Sequence, residues 1–460
     1  MYEKAIFLFT NDLRLDDNMA LNQAFLKSKT VIPVFIFNPE QVGNKNAYKS
    51  MNAIQFMIES LHELETLIKK EDGTLNFLHD TLTHALKAII KKYAIQAIFF
   101  NKDYTPFAQK RELEIKDVCI KNGIDCNVYQ DRLLINPEEA IAKKGSFYKI
   151  FTPFFKYASQ LPVKKPHTIS EKKWFLAKIE GSEKLSTLSK KILEGYENQN
   201  IFMHGGTKQA LKILDSIKKL SLYEKTRNNP SLPTTGLGAH LNFGTISVRT
   251  AYYSIAKNLG KDHELIKQLY WKEFFVHSAY WYPAMFGHAM KSQYDHIKWS
   301  NNQKLFDRWC NGTTGFPIVD AGMRQLNTTG WMHNRVRMIV ASFLVKDLHI
   351  DWRWGERYFA TQLIDYNPAV NNGNWQWSAS TGFDAQPYFR IFNPWQQQKR
   401  FDPQCEYIKI WVKELKEYTS KEIHSWDKRK EYHNYHKPIV DHKKEAAFAK
   451  DSFKKAALTT

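Results

Sequence analysis

Four short apolar runs, KAIFLF, VIPVFIF, TLNFLH and AIQAIFF, recur between residue 4 and about residue 130, separated by amphipathic stretches such as MNAIQFMIESLHELETLIKK. Short runs rich in β-branched and aromatic residues read as buried strands, while apolar residues three and four apart mark helices. Their alternation specifies an α/β fold, a parallel sheet with crossover helices. No GxGxxG follows the first strand, so a dinucleotide site in this half has no motif behind it. Beyond residue 130 the strands fade. Residues from about 160 to 205, with LPVKKP, EKKWF and ENQN, read as an irregular connector holding helical pieces. From about 205 onward TKQALKILDSIKKL, LIKQLYWKEFFVHSAYW and RVRMIVASFLVKDL carry the helical period. The expected organisation is a Rossmann-like α/β domain over 1–130, a linker over 131–204 and an all-α domain over 205–460.

A chain of 460 residues, 43% apolar and 14% aromatic, has enough material for two sizeable cores. It contains no run of the roughly 20 apolar residues that a membrane span needs. The opening MYEKAIFLFTNDLRL enters a strand-like segment without a signal-peptide pattern, so cytoplasmic residence is expected. Cys119, Cys126, Cys310 and Cys405 lack CxxC spacing and a His-rich neighbourhood, which favours buried thiols over disulfides or zinc, and no metal is expected. Lys and Arg exceed Asp and Glu by 66 to 47, a net charge of +19, which points to a polyanion, nucleic acid ahead of a membrane surface. The charged run KEYHNYHKPIVDHKKEAAFAKDSFKK near the C-terminus reads instead as a solvated helix face.

Of 13 tryptophans only Trp174 precedes residue 271. Single aromatics are ordinary core filler, but twelve in under two hundred residues, several beside polar residues, fit base stacking, flavin packing or electron hopping. The stretch NNGNWQWSAS, 371–380, is the most concentrated case. A strand would put Trp375 and Trp377 on one face, whereas Asn and Gly disfavour strands and the small residues suit a helix start, so periodicity leaves its structure open.

FTNDLRLDDNMAL, TTGLGAHLNFGTIS, TGFPIVDAGMRQLNTTGWMHNRVRMIVASFLVKDLHIDWRWGERYF, and NNGNWQWSAS followed by RIFNP together resemble the photolyase and cryptochrome family, most closely its bacterial cyclobutane pyrimidine dimer photolyases. The resemblance implies an α/β antenna domain, a long linker and a helical domain that binds FAD. It places the FAD phosphates at Tyr223 and the loop Thr234, Thr235, Gly236, Leu237 and Gly238, where hydroxyls and backbone N–H groups entering a helix suit a pyrophosphate. Arg337 and Asp365 match an ion pair beside the flavin, Asn371 the residue facing flavin N5, and Asp365 with Asn367 the positions that meet ribose and ring. Tyr366 falls in the same cofactor-binding set. Asn367 stands where the family commonly has a second acid.

The same resemblance makes Trp375, Trp352 and Trp299 a chain passing electrons inward to photoexcited flavin, with Trp377 and Trp271 as aromatic walls for a lesion flipped out of DNA. Asn334 and Met338 match residues that touch the pyrimidines, Arg335 and Lys399 suit DNA phosphates, and Lys272 stands where arginine is usual. Gln268 replaces the family's lesion-binding glutamate with an amide that carries no charge and no titratable proton. The implied reaction is the light-driven splitting of cyclobutane dimers by electron transfer from reduced FAD, carried out by a monomer on UV-damaged DNA. A second chromophore, a folate or a deazaflavin, is implied for the antenna domain, but NKDYTPFAQKRE (101–112) does not reproduce the polar pair that holds folate, and an empty antenna domain stays open. The rival readings are a signalling cryptochrome, a six-four photolyase, and a single-strand nucleic-acid binder without catalysis.

Overall fold

A computed structural model describes residues 1–142 and 145–458. The chain separates into two compact units, one of Met1–Gln199, Met203–Ser221 and Thr235–Pro283, the other of Asn200–Phe202, Leu222–Thr234 and Ala284–Thr460.

The first unit is built on a sheet of β1 (Tyr2–Phe9), β2 (Ser28–Ile36), β3 (Asn76–Leu78), β4 (Ala97–Asn101) and β5 (Asp125–Tyr129), all parallel, in the order β3-β2-β1-β4-β5. The first four strands are the apolar runs of the sequence. Ile6 of β1 pairs with Ile32 on one side and Ile98 on the other, and all three are fully buried. β5, DCNVY, gives no such signal because it is an edge strand whose residues are only partly buried or exposed. The amphipathic stretch MNAIQFMIESLHELETLIKK is a single helix, Met51–Lys70, capped by the Ser50 hydroxyl, which accepts from Ala53 N at 3.2 Å.

Residues 235–283 belong to this unit although their pattern is helical. Arg249 accounts for much of that: its Nε lies 2.9 Å from Asp17 and its Nη2 2.7 Å from Asp131, while Asp131 also takes Arg14 at 2.6 Å, all buried. Buried charges are stable only when paired in this way. The boundary at 130 follows the end of β5 at Tyr129 and that at 204 the onset of the helical period, a different criterion from compactness.

The second unit is helical. Its core is rich in large aromatics, including Trp309, Phe343, Trp352, Trp375, Tyr407 and Trp426. Its helices include Asn334–Lys346, Trp352–Gln362, Pro368–Ala379 and the C-terminal His442–Leu458. No described helix is long and apolar enough to cross a membrane.

Candidate functional site

NNGNWQWSAS lies in the helix Pro368–Ala379, which resolves the ambiguity of its sequence. Asn367 is the N-cap, its Oδ1 accepting from Val370 N at 3.1 Å; proline occupies the first turn, and Ser380 ends the helix in the left-handed conformation at φ 71°. Residues two apart on a helix point roughly 200° apart, so the two tryptophans diverge: Trp375 is buried and Trp377 is half-buried. The amides around them are spent internally. Gln376 donates to Asn372 Oδ1 at 2.9 Å, to Met285 O at 3.1 Å and to His288 O at 3.0 Å, while Asn374 donates to Val370 O at 2.8 Å.

This helix forms one wall of a cleft open to solvent. Eight residues singled out from the sequence line it: Asn334, Arg337, Met338, Asp365, Tyr366, Asn367, Asn371 and Trp375. Arg337 reaches Asp365 through Nη2, at 3.1 and 2.9 Å to the two carboxylate oxygens, and its Nε donates to Met332 O at 2.8 Å. The pair is partly buried, so each charge is neutralised where water is scarce. Asn371 bonds twice to Glu356, through Nδ2 to the backbone carbonyl at 3.0 Å and to Oε1 at 2.9 Å. Burial pushes the Glu356 carboxyl up to about 7, an effect that the Asn371 amide and the Arg357 charge reduce. Sequence reasoning missed Glu356, because nothing in GERYF shows that its partner lies 15 residues on.

Trp375 packs edge-on against Phe359 at 5.0 Å and Trp309 at 6.1 Å between ring centroids. The position of its ring depends on Gly355, where an added Cβ would come within 2.2 Å of the indole. Trp352 is buried, and Trp299 is half-buried against Phe453 of the C-terminal helix at 6.0 Å.

At the start of the Asn334 helix, exposed Asn334 lies 3.9 Å from the Met338 sulfur. His333 is the N-cap: its Nδ1 accepts from Arg335 N at 3.2 Å, and burial, with Arg337 and Arg335 adding to it, pushes the imidazole down to about 4. Arg335 donates to Asn228 Oδ1 at 2.6 and 3.1 Å and lies over the Phe401 ring at 4.4 Å. Burial, then the charges of Arg227 and Arg400, push its guanidinium down to about 10, the mark of crowded positive charge. Lys399 is exposed, and Tyr223 is half-buried in a four-residue helix, Tyr223–Thr226.

Gln268, Trp271 and Lys272 lie on Glu264–Trp281 of the first unit. Gln268 donates to Glu264 at 2.8 Å, one helical turn away. Trp271 is half-buried and stacks on Phe151 at 3.6 Å and 8°; Phe151 in turn stacks on Phe155 at 5.7 Å and 16°, a backing that sequence reasoning did not find. Burial pushes the Lys272 ammonium down. Thr235–Gly238 also belong to this unit, with the Thr235 hydroxyl accepting from Leu237 N at 3.3 Å, Gly236 at φ +67° and a helix starting at Gly238.

Residues 5–170 match the family model of DNA photolyase, and residues 265–455 match that of the FAD binding domain of DNA photolyase. A deoxyribodipyrimidine photo-lyase of Alkalihalophilus pseudofirmus is 33% identical, with 98% of this chain and 98% of that protein covered. The solved archaeal photolyase of Sulfolobus tokodaii, described with two FAD molecules, superposes with a TM-score of 0.90 at 42% identity and covers 98% of this chain and 100% of its own. A cryptochrome of Synechocystis superposes with a TM-score of 0.88 at 25% identity, covering 98% and 99%. The chain therefore belongs to the photolyase and cryptochrome family, with an α/β photolyase part and a helical part that is the family's FAD-binding domain.

Proposed function

We propose that this protein is a light-driven DNA repair enzyme that splits cyclobutane pyrimidine dimers. The observation that carries the reading is the chemistry of the cleft lining. Its one carboxylate, Asp365, is neutralised by Arg337, and the remaining polar groups are amides, the Ser378 hydroxyl and the Tyr366 phenol. Such a lining has no general base or activated nucleophile to offer, but it suits a planar redox group that needs its edge held. FAD fits these donors: Arg337–Asp365 and Asn371 would hold its ring. When bound, FAD supplies the absorption of light and the single electron lent to the dimer and returned. Breakage of the two carbon–carbon bonds between the pyrimidines then leaves no net change in oxidation state.

The chain's own residues position and protect. Trp375, Trp352 and Trp299 are the electron path that keeps the cofactor reduced. Met338 and Trp377 of the helical unit contact the flipped lesion. Arg335, Lys399 and Lys272 face DNA phosphates, and the crowding of Arg335 with Arg227 and Arg400 supports an anionic partner. The protein acts as a monomer, within the domain limits 1–130, 131–204 and 205–460. The α/β part holds a folate, a deazaflavin or no second chromophore; the archaeal relative is described with two FAD molecules.

Lesion choice rests on Asn334. Six-four repair requires a histidine beside the lesion to deliver a proton, and an amide has none to give near neutral pH. His333, one residue earlier, is buried, used as a cap and held neutral. Illumination of two defined oligonucleotides, one per lesion, with pre-reduced protein should restore the cyclobutane dimer and leave the six-four product untouched. Restoration of the six-four product alone overturns the assignment, and repair of neither lesion by protein holding reduced FAD favours a signalling cryptochrome.

A further inference from the structure

Trp299 is the outer member of the electron path, and its indole N–H has nothing to bond to. The residue is half-buried, yet its Nε1 is buried and has no acceptor among the described residues; Trp352 Nε1 is in the same position. Other buried indoles of this unit are satisfied: Trp309 Nε1 donates to Val340 O at 3.1 Å and Trp426 Nε1 to His436 O at 3.0 Å. Buried donors normally find partners, so two orphans on one path set these indoles apart.

The cover over Trp299 is the C-terminal helix His442–Leu458. Phe453, itself buried, lies edge-on to the Trp299 ring at 6.0 Å and 74°. The helix is tied to the backbone that carries both indoles: Glu445 meets His349 Nε2 at 2.7 Å, and Ser300, next to Trp299, donates its N–H to His349 O at 2.8 Å. Asn301 Oδ1 in turn accepts from the N–H of Asp351, next to Trp352, at 2.9 Å. The titratable groups gathered here are engaged with one another. His442 Nδ1 meets Asp347 Oδ1 at 2.5 Å, Lys346 donates to Ala379 O at 3.2 Å, and Tyr294 and Tyr388 turn their rings to Phe453 at 5.4 and 6.2 Å. Asp347 Oδ2 is buried without a donor, so neither indole reaches it.

We propose that Phe453 and its helix are a proton seal on Trp299: the indole oxidised at the outer end of the path keeps its N–H proton, and its hole is filled only by an electron. The proposal rests on the reading that the path serves bound FAD. Light moves one electron from the indoles to the cofactor and leaves an indole radical cation. In contact with water such a cation releases its N–H proton and becomes a neutral radical, which holds the charges apart. Indole N–H can only donate, so without an acceptor the proton stays and the electron returns, restoring both partners with no net change. Lasting reduction therefore needs an external one-electron donor such as a thiol, which fills the hole through the exposed part of the Trp299 ring and gives its own proton to solvent.

The test begins in the dark. Hydrogen exchange at the indole N–H groups, read by NMR on protein carrying nitrogen-labelled tryptophan and assigned with Trp299→Phe, should be slow at Trp299 although it has no hydrogen bond to break. Phe453→Ala should speed it by about tenfold or more while Trp309, held by Val340, stays protected. Glu445→Ala cuts the tie to His349 and leaves the core packing alone; it should act in the same direction by a smaller factor, and it carries the test if Phe453→Ala does not fold. With FAD bound, flash photolysis should show a protonated Trp299 radical in wild type, decaying equally fast in ordinary and heavy water, and a neutral, longer-lived radical in the variants. Trp299 exchange as fast in wild type as in the variants, or a neutral radical formed equally fast in all of them, overturns this inference alone; protein that binds no FAD overturns the functional reading and the seal with it.

Discussion

At the scale of the residue, the two tryptophans of NWQW are the sharpest case, because a separation of two residues on a helix sends them to different surroundings. Trp375 is buried beside Phe359 and lines the cleft, and Trp377 is half-buried outside its lining. We expect Trp375→Phe to block photoreduction of oxidised flavin while chemically reduced protein still repairs. Trp377→Ala should spare photoreduction and weaken lesion binding by about 1–3 kcal/mol, the usual worth of one base stack. Transient absorption and lesion-binding titrations on both variants separate the two roles, and a common defect would remove the distinction. Gly355 adds a second test. A methyl group there would meet the Trp375 ring at 2.2 Å and Leu344 at 2.5 Å. Gly355→Ala should therefore cost about 1–3 kcal/mol by overpacking, offset in part by the roughly 1 kcal/mol that alanine gains over glycine in a helix. Lower thermal stability with slower flavin photoreduction is the expected result, and unchanged photoreduction would show that the indole tolerates displacement.

At the scale of the element, the C-terminal helix His442–Leu458 departs from the solvated face that its charge run implied. Phe453 is 1% exposed and packs against Tyr294 at 5.4 Å, Trp299 at 6.0 Å and Tyr388 at 6.2 Å, with Lys346 Nζ 3.2 Å from its ring centroid. At the start of the helix His442 Nδ1 meets buried Asp347 at 2.5 Å, and Glu445 meets His349 at 2.7 Å. Burial holds the Lys346 ammonium far below its ordinary range, so the aromatic ring and the Ala379 carbonyl are what stabilise any charge it carries. Phe453→Ala should destabilise the second unit by about 3–5 kcal/mol. Limited proteolysis should then clip the C-terminal helix first, with Trp299 fluorescence shifting to the red as its packing partner is lost. The run KKEAAFAKDSFKKAAL looks polar because its charges are conspicuous, yet Ala449, Phe453 and Ala456 repeat at helical spacing and are the residues that bury.

At the scale of the whole molecule, a net charge of +19 favours long-range attraction of a polyanion such as DNA. Affinity for lesion-bearing DNA should fall steeply with salt, with a log–log slope of roughly 0.9 for each phosphate neutralised. Arg335→Gln should flatten that slope by about one contact. A salt-independent affinity measured by fluorescence anisotropy would remove DNA as the partner. By itself the sequence determined the parallel sheet, through four apolar runs long enough to read as strands, and the helical second half, through a period of three and four. It also determined the family, and with it the cofactor class, because those motifs are long and contiguous. Tertiary structure alone decided that Asn371 answers to Glu356, that Trp375 depends on Gly355, that Phe151 backs Trp271 and that Arg249 ties residues 235–283 to the α/β unit. Hydrophobic period is a property of neighbours along the chain, so it survives in the sequence. A hydrogen bond between residues 15 apart, or an ion pair between residues 232 apart, exists only once packing has brought single side chains together, and one side chain leaves no period to read.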